Sequence, residues 1–199
     1  MSKQNHLPLF LEAKYHRYFT PTETLQINQA FLYANTAHYG QLRDDGSPYI
    51  YHPVRMVYIL LDEFNIYDAE LIITLLLHDV RENSKFMFIN ATVALWFGLK
   101  NEHNMNKLSK TDKNKEIYIS GIAESGDWRI ILAKLIDRLD NMQTLGKSKK
   151  PFQEKQAKET RSIFLPLCSV LAKFIPENYT KAAAIIHIRL IKLCEQYGC

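Results

Sequence analysis

The stretch Leu75-Leu76-Leu77-His78-Asp79-Val80-Arg81-Glu82-Asn83 sets a histidine, an aspartate and a glutamate directly behind a turn of leucine. Three consecutive leucines build a buried helical turn, and ionisable groups at its end are costly to bury without partners. Successive side chains on a helix point about 100° apart, so His78 and Asp79 meet at one centre only where other helices bring further polar groups. The chain is thereby constrained to several helices around a shared polar point. Two segments offer such groups. His52 stands in Pro48-Tyr49-Ile50-Tyr51-His52-Pro53 and Asp137 in Leu132-Ala133-Lys134-Leu135-Ile136-Asp137-Arg138-Leu139, each at the edge of an apolar run. Two imidazoles and two carboxylates form a mixed N/O set suited to a divalent first-row ion such as Mn²⁺, Fe²⁺ or Zn²⁺. A lone His-Asp pair carries little weight in a chain with seven histidines; the three segments together carry it.

The remaining pattern is helical. Residues 1 to 20 show no clear period and read as an N-terminal arm or short helix. Thr22, Glu23 and Thr24 start a helix in which Ile27, Ala30, Phe31, Ala34 and Ala37 recur at helical spacing, ending near Gly40. Arg43-Asp44-Asp45-Gly46-Ser47-Pro48 is a turn by composition and delivers His52 to the start of a second helix, with Pro53 at its first helical position. That helix runs to about Phe64, and Asp68 caps the next one, which ends in His78-Asp79. Residues 86 to 97 predict another helix, stopped at Gly98. Asn101 to Glu116 is polar and reads as a solvated loop between helices, or as a basic flap over an anionic ligand. Helices follow from Ile117, from Trp128 through Leu145, from Phe152 to Lys173 with a bend at Pro166, and from Glu177 to Tyr197 with a stripe of Ala183, Ile186, Leu190 and Leu193. No alternating strand, repeat or low-complexity tract is present. The expected class is all-α.

A length of 199 residues fits one domain with its own core, and 47% hydrophobic with 23% charged residues are globular values. A net charge of +4 favours anionic small molecules. It does not argue for nucleic acid, because the lysines do not alternate with aromatics on one element. Cys168, Cys194 and Cys199 are odd in number and lack CxxC spacing, which predicts reduced thiols in a cytoplasmic protein. No apolar stretch is long enough for a signal core or a membrane span.

Three ordered segments, Arg43 to Pro53, Leu76 to Asn83 and Lys134 to Leu145, resemble the HD-type hydrolase domain of the RelA/SpoT family, and Lys158 to Leu167 is similar to that domain's C-terminal helix. The likeness runs from about residue 25 to 175. It implies a single HD-domain bundle of about eight to ten helices. It leaves no room for a synthetase half, so the chain resembles a small stand-alone alarmone hydrolase of the stringent response. The implied reaction is Mn²⁺-dependent removal of the 3′-diphosphate of (p)ppGpp, giving GDP or GTP and pyrophosphate. By motif position, one Mn²⁺ per chain is held by His52, His78, Asp79 and Asp137. Glu82 falls on the family's catalytic acidic position, with Asn83 beside it. Arg43 matches an arginine near the purine base, Asn141 and Thr144 match positions lining the nucleotide, and Tyr49 lies close in sequence to the same site. Tyr49 is equally read as core packing, and Arg138 as a structural ion pair.

Three departures from the family pattern stand out. Asn83 replaces the Asp of a Glu-Asp pair, which bears on rate, while Asp44 replaces a basic residue and Asp140 a histidine, which bear on base choice. Besides alarmone hydrolysis, the sequence is compatible with a related hydrolase of (p)ppApp or NADPH and with a nucleotide-binding protein of weakened catalysis. The expected partner is a small nucleotide with a 3′-diphosphate; no membrane or nucleic acid is expected, and no sequence feature sets an oligomeric state.

Overall fold

The computed structural model describes residues 15–83, 89–110 and 114–198. Most of the predicted N-terminal arm, the first residues of the helix predicted from residue 86, Lys113, Cys199 and the side chain of Asn83 lie outside that description. The described residues are helical throughout apart from turns, with one isolated antiparallel bridge between Leu42 and Pro48. They form two compact units: residues up to Val57 with Asn65–Ser109, and Tyr58–Phe64 with Lys110–Cys199.

In the first unit, α1 (Pro21–Ala37) begins one turn-position earlier than the sequence predicts. Thr20 is the cap: its hydroxyl accepts from the Glu23 amide and the Glu23 carboxylate accepts from the Thr20 amide, with Pro21 at the first helical position. The predicted stripe Ile27, Ala30, Phe31, Ala34 and Ala37 is buried, and α1 packs on α3 (Ala69–Leu77). Asp68 caps α3 through the Leu71 amide at 2.8 Å, as expected. Every residue from Leu71 to Leu77 is buried, which marks α3 as the central helix of this unit. Between α1 and α2 (Tyr51–Tyr58) a small hairpin closes through Arg43 N to Ser47 O at 2.9 Å and Tyr49 N to Gln41 O at 3.0 Å. Gly46, with φ 80°, supplies its left-handed position.

The polar stretch after Gly98 corrects the predicted loop or flap. The helix α5 (Ile89–Leu108) breaks at Gly98, where φ is 86° and ψ 158°, and then resumes. Its second half buries Asn101, Asn104, Met105 and Leu108. Amides occupy the buried face because α3 offers them partners. Asn104 Nδ2 donates to Glu70 Oε1 and to Thr74 Oγ1, both at 3.1 Å, and Thr74 Oγ1 donates to Asn101 Oδ1 at 3.3 Å. Between α3 and α5 the backbone stays right-handed at His78 and enters the short helix α4 (Val80–Asn83).

In the second unit, Asn114 caps α6 (Lys115–Glu124) and Asp127 caps α7 (Trp128–Gln143). Eleven residues of α7 are buried, among them Ile131, Leu132, Leu135, Ile136 and Leu139. It packs against α9 (Leu165–Phe174) and α10 (Thr180–Gln196). The helix expected over 152–173 is instead α8 (Lys150–Glu159), a π turn at Thr160–Phe164, and α9. Pro166 lacks the N–H that would bond the Ser162 carbonyl, and its ring crowds that carbonyl, so the turn before it widens. The stripe on α10 is Ala183, Ile186, Leu190 and Cys194, with Leu193 half-buried beside it.

Candidate metal centre

Within the first unit the hairpin and the end of α3 bring together His52, His78, Asp79 and Tyr49. Asp79 Oδ2 lies 3.2 Å from His78 Nε2 and 3.8 Å from His52 Nε2, and it accepts a 2.5 Å hydrogen bond from the Tyr49 hydroxyl. The two imidazole rings are 5.2 Å apart, and both histidines are buried. His78 Nδ1 lies 2.8 Å from the Leu75 carbonyl. A carbonyl only accepts, so Nδ1 carries the proton and the Nε2 lone pair of neutral His78 is directed elsewhere. That lone pair faces a carboxylate oxygen. Two acceptors at 3.2 Å are favourable only with a proton or a cation between them. A ring nitrogen held by a backbone carbonyl on its far side is the arrangement of a metal-ligating histidine. The donor set therefore fits a divalent ion.

Around this group stand Arg43 and His38. The Arg43 guanidinium carbon lies 5.7 Å from the Tyr49 ring centre. His38 stacks on Tyr49 with ring centres 4.6 Å apart, and its Nδ1 bonds Gln41 Oε1 at 2.9 Å. Burial pulls the His38 pKa below the ordinary histidine value, opposed by its bond to Gln41 and the charge of Asp79. His38 Nε2 is buried with no hydrogen-bond partner. Sequence reasoning missed this residue. The signal was present: a histidine at the end of an apolar helical stripe, five residues before Arg43. Glu82 is exposed on α4.

In the second unit Asp137 sits on α7 at 9% exposure. Lys134 Nζ donates to its Oδ2 at 2.9 Å and Asn141 Nδ2 to its Oδ1 at 2.6 Å. Thr144, predicted to line the nucleotide, turns its hydroxyl onto the carbonyls of Asp140 and Asn141 at the helix end. Arg138 is the structural ion pair that one reading of the sequence expects. Its guanidinium donates to Thr160 Oγ1 at 2.7 Å and to Gln156 Oε1 and O at 2.6 Å, and lies 3.2 Å from Glu159. Burial pulls its pKa down, and Glu159 opposes that shift.

Fold and donor set define a class: an all-α protein in which His52, His78 and Asp79 form a donor set that fits a divalent cation. The HD-domain family profile matches residues 30–171. The bifunctional (p)ppGpp synthase/hydrolase SpoT of Escherichia coli K12 is 35% identical over 160 residues, covering 75% of this chain and 22% of that protein. The guanosine-3′,5′-bis(diphosphate) 3′-pyrophosphohydrolase of Borreliella burgdorferi is 31% identical over 188 residues, covering 90% of this chain and 28% of that one. This chain belongs to the HD-domain family. It spans about a quarter of the length of these curated relatives. A solved structure of a metazoan ortholog of SpoT that hydrolyses ppGpp shares the fold, with TM-score 0.65 and 23% identity over 87% of this chain and 96% of that one.

Proposed function

We propose that the chain is a Mn²⁺-dependent hydrolase of the 3′-diphosphate of (p)ppGpp, acting in the cytoplasm, with residues 1–199 working as one domain. The observation that carries this reading is the convergence of His52, His78 and Asp79 on one point in a chain of the HD-domain family. The names of its relatives as (p)ppGpp 3′-pyrophosphohydrolases supply the substrate class.

On this reading His52, His78, Asp79 and Asp137 hold one ion. When bound, the cation supplies charge stabilisation to the phosphoryl group under attack. Glu82 orients the attacking water and takes its proton. Arg43 stacks on the purine base, with Tyr49, Asn141 and Thr144 along the nucleotide. The Leu75 carbonyl keeps His78 in the tautomer that presents Nε2, and Tyr49 fixes the Asp79 carboxylate. Asn83 can donate and accept hydrogen bonds but cannot take a proton at neutral pH, so Glu82 acts without an acidic neighbour.

The test is turnover of ppGpp, ppApp and NADPH by purified protein supplied with Mn²⁺. Pyrophosphate release from ppGpp is expected, reduced by about 10²–10⁴-fold in Glu82→Ala and raised in Asn83→Asp. Asn83 is also the observation that favours a second reading, a nucleotide-binding protein of weakened catalysis. That reading replaces the first if wild type turns over none of the three, still binds one, and Asn83→Asp stays inactive. Turnover of ppApp or NADPH alone would move the substrate while keeping the chemistry.

A further inference from the structure

Asp137 differs from Asp79 in what holds it. Asp79 is held by a neutral phenol, whereas Asp137 is held on one oxygen by the Asn141 amide and on the other by the full charge of Lys134. Lys134 and Asp137 are three residues apart on α7, so their side chains lie on the same face and the pair forms with little rearrangement. Both side chains are mostly shielded, at 17% and 13% exposure, which strengthens their attraction over that of an open surface pair.

A divalent cation at Asp137 needs the same lone pairs and repels the same ammonium. Lys134 already has a second contact to keep when the carboxylate is taken from it. Its Nζ lies 5.2 Å from the ring centre of Tyr118 on α6, and an aromatic face holds a cation without a carboxylate. The four-carbon stem lets the head move while its base stays packed. Asn141 can remain in place, because a neutral amide on Oδ1 does not oppose a cation on Oδ2.

We propose that Lys134 is the resident counter-ion of Asp137, competing with the divalent cation and setting how tightly the chain takes it up. The proposal rests on the reading of Asp137 as a metal ligand. Lys134 occupies the carboxylate when the cation is scarce, keeping a mostly buried charge compensated, and withdraws toward Tyr118 when the cation binds. Affinity is thereby lower than the ligands alone would give, and uptake becomes reversible.

The test is a calorimetric Mn²⁺ titration of the full chain, stripped with chelator, for wild type, Lys134→Met, Lys134→Arg and Asp137→Ala. Methionine keeps the stem and removes the charge, so Lys134→Met should bind Mn²⁺ roughly threefold to tenfold more tightly. Lys134→Arg retains the charge and should bind no more tightly than wild type. The melting temperature supplies a readout that a purely structural pair would not move: the gap between chelator and Mn²⁺ should widen in Lys134→Met, whereas loss of a structural contact lowers both values alike. A Mn²⁺ dissociation constant for Lys134→Met within twofold of wild type, or weaker, overturns the proposal. Should Lys134→Met fail to fold, ¹³C-methylated lysines in wild type decide the matter. The Lys134 signal, assigned by its loss in Lys134→Arg, must shift on adding diamagnetic Zn²⁺, and an unmoved signal overturns the proposal. If Asp137→Ala binds Mn²⁺ as wild type does, the reading of Asp137 as a ligand falls instead.

Discussion

The phenol of Tyr49 donates its 2.5 Å hydrogen bond to Asp79 while its ring stacks on His38 and lies within 5.7 Å of the Arg43 guanidinium. Sequence alone left Tyr49 between nucleotide contact and core packing; the structure gives its hydroxyl a definite partner, the carboxylate beside His78. Partners that orient a metal ligand are typically worth about 10–100-fold in affinity. Tyr49→Phe should therefore weaken Mn²⁺ binding by roughly that factor while the metal-free protein melts near the wild-type temperature, as calorimetry and thermal unfolding would show. Cysteine chemistry is decided at the same scale. Burial pushes the Cys168 thiol up to about 12, and Cys194 is fully buried with its Sγ on the Ala157 carbonyl. Thiolate is the reactive form, so at pH 8 Cys168 stays protonated in the folded chain and becomes reactive on unfolding. A Cys199→Ser variant should resist a disulfide reagent at pH 8 until denaturant is added, and rapid labelling without denaturant would contradict this burial.

Gly98 divides α5 with φ 86° and ψ 158°, a conformation essentially reserved for glycine. A Cβ there would meet nothing within 4 Å, so the cost of a side chain is one of backbone alone. Gly98→Ala should destabilise the protein by about 1–3 kcal/mol in urea unfolding; an unchanged midpoint would mean that the break relaxes freely. The glycine as a stop was legible in the sequence, and so were the Asp68 cap, the α1 stripe and the turn that delivers His52. Each depends on neighbours in the chain. The helix beyond Gly98 was not legible, because its buried face carries Asn101 and Asn104, which the Glu70 and Thr74 side chains of α3 and the Phe97 carbonyl of the same helix make acceptable there. His38 and Lys134 escaped for a related reason. What marks them is a partner, the Tyr49 ring in one case and the Asp137 carboxylate in the other; their positions, at the end of an apolar stripe and inside an apolar run, are visible in the sequence, but the partner is not. The widened turn at Thr160–Phe164 was half legible: Pro166 announces a distortion but not that it falls on the turn before it.

At the scale of the whole chain, a cation held as proposed, by ligands that only the folded state brings together, stabilises that state by mass action. At one hundred times its dissociation constant it contributes about 2.7 kcal/mol, a rise of roughly 5–11 °C in melting temperature for a chain of this length at about 2–4 °C per kcal/mol. Mn²⁺ should produce that rise and chelator should reverse it; a melting temperature indifferent to both would contradict a site of this affinity. Among the described residues no helix is long and apolar enough to cross a membrane.

The amide and hydroxyl ladder of Glu70, Thr74, Asn101 and Asn104 has a consequence for how two helices find their alignment. Helices that meet through leucine alone can slip past each other by one turn, about 5.4 Å, and find nearly equivalent packing. A ladder of donors and acceptors cannot, since a slipped alignment strands buried polar groups at about 1–3 kcal/mol each. The ladder thus works as a key that fits in one position. Because α3 ends at His78, the same key sets the height at which that imidazole stands, and a chain with the ladder rebuilt in leucine could keep its core yet misplace His78 and Asp79.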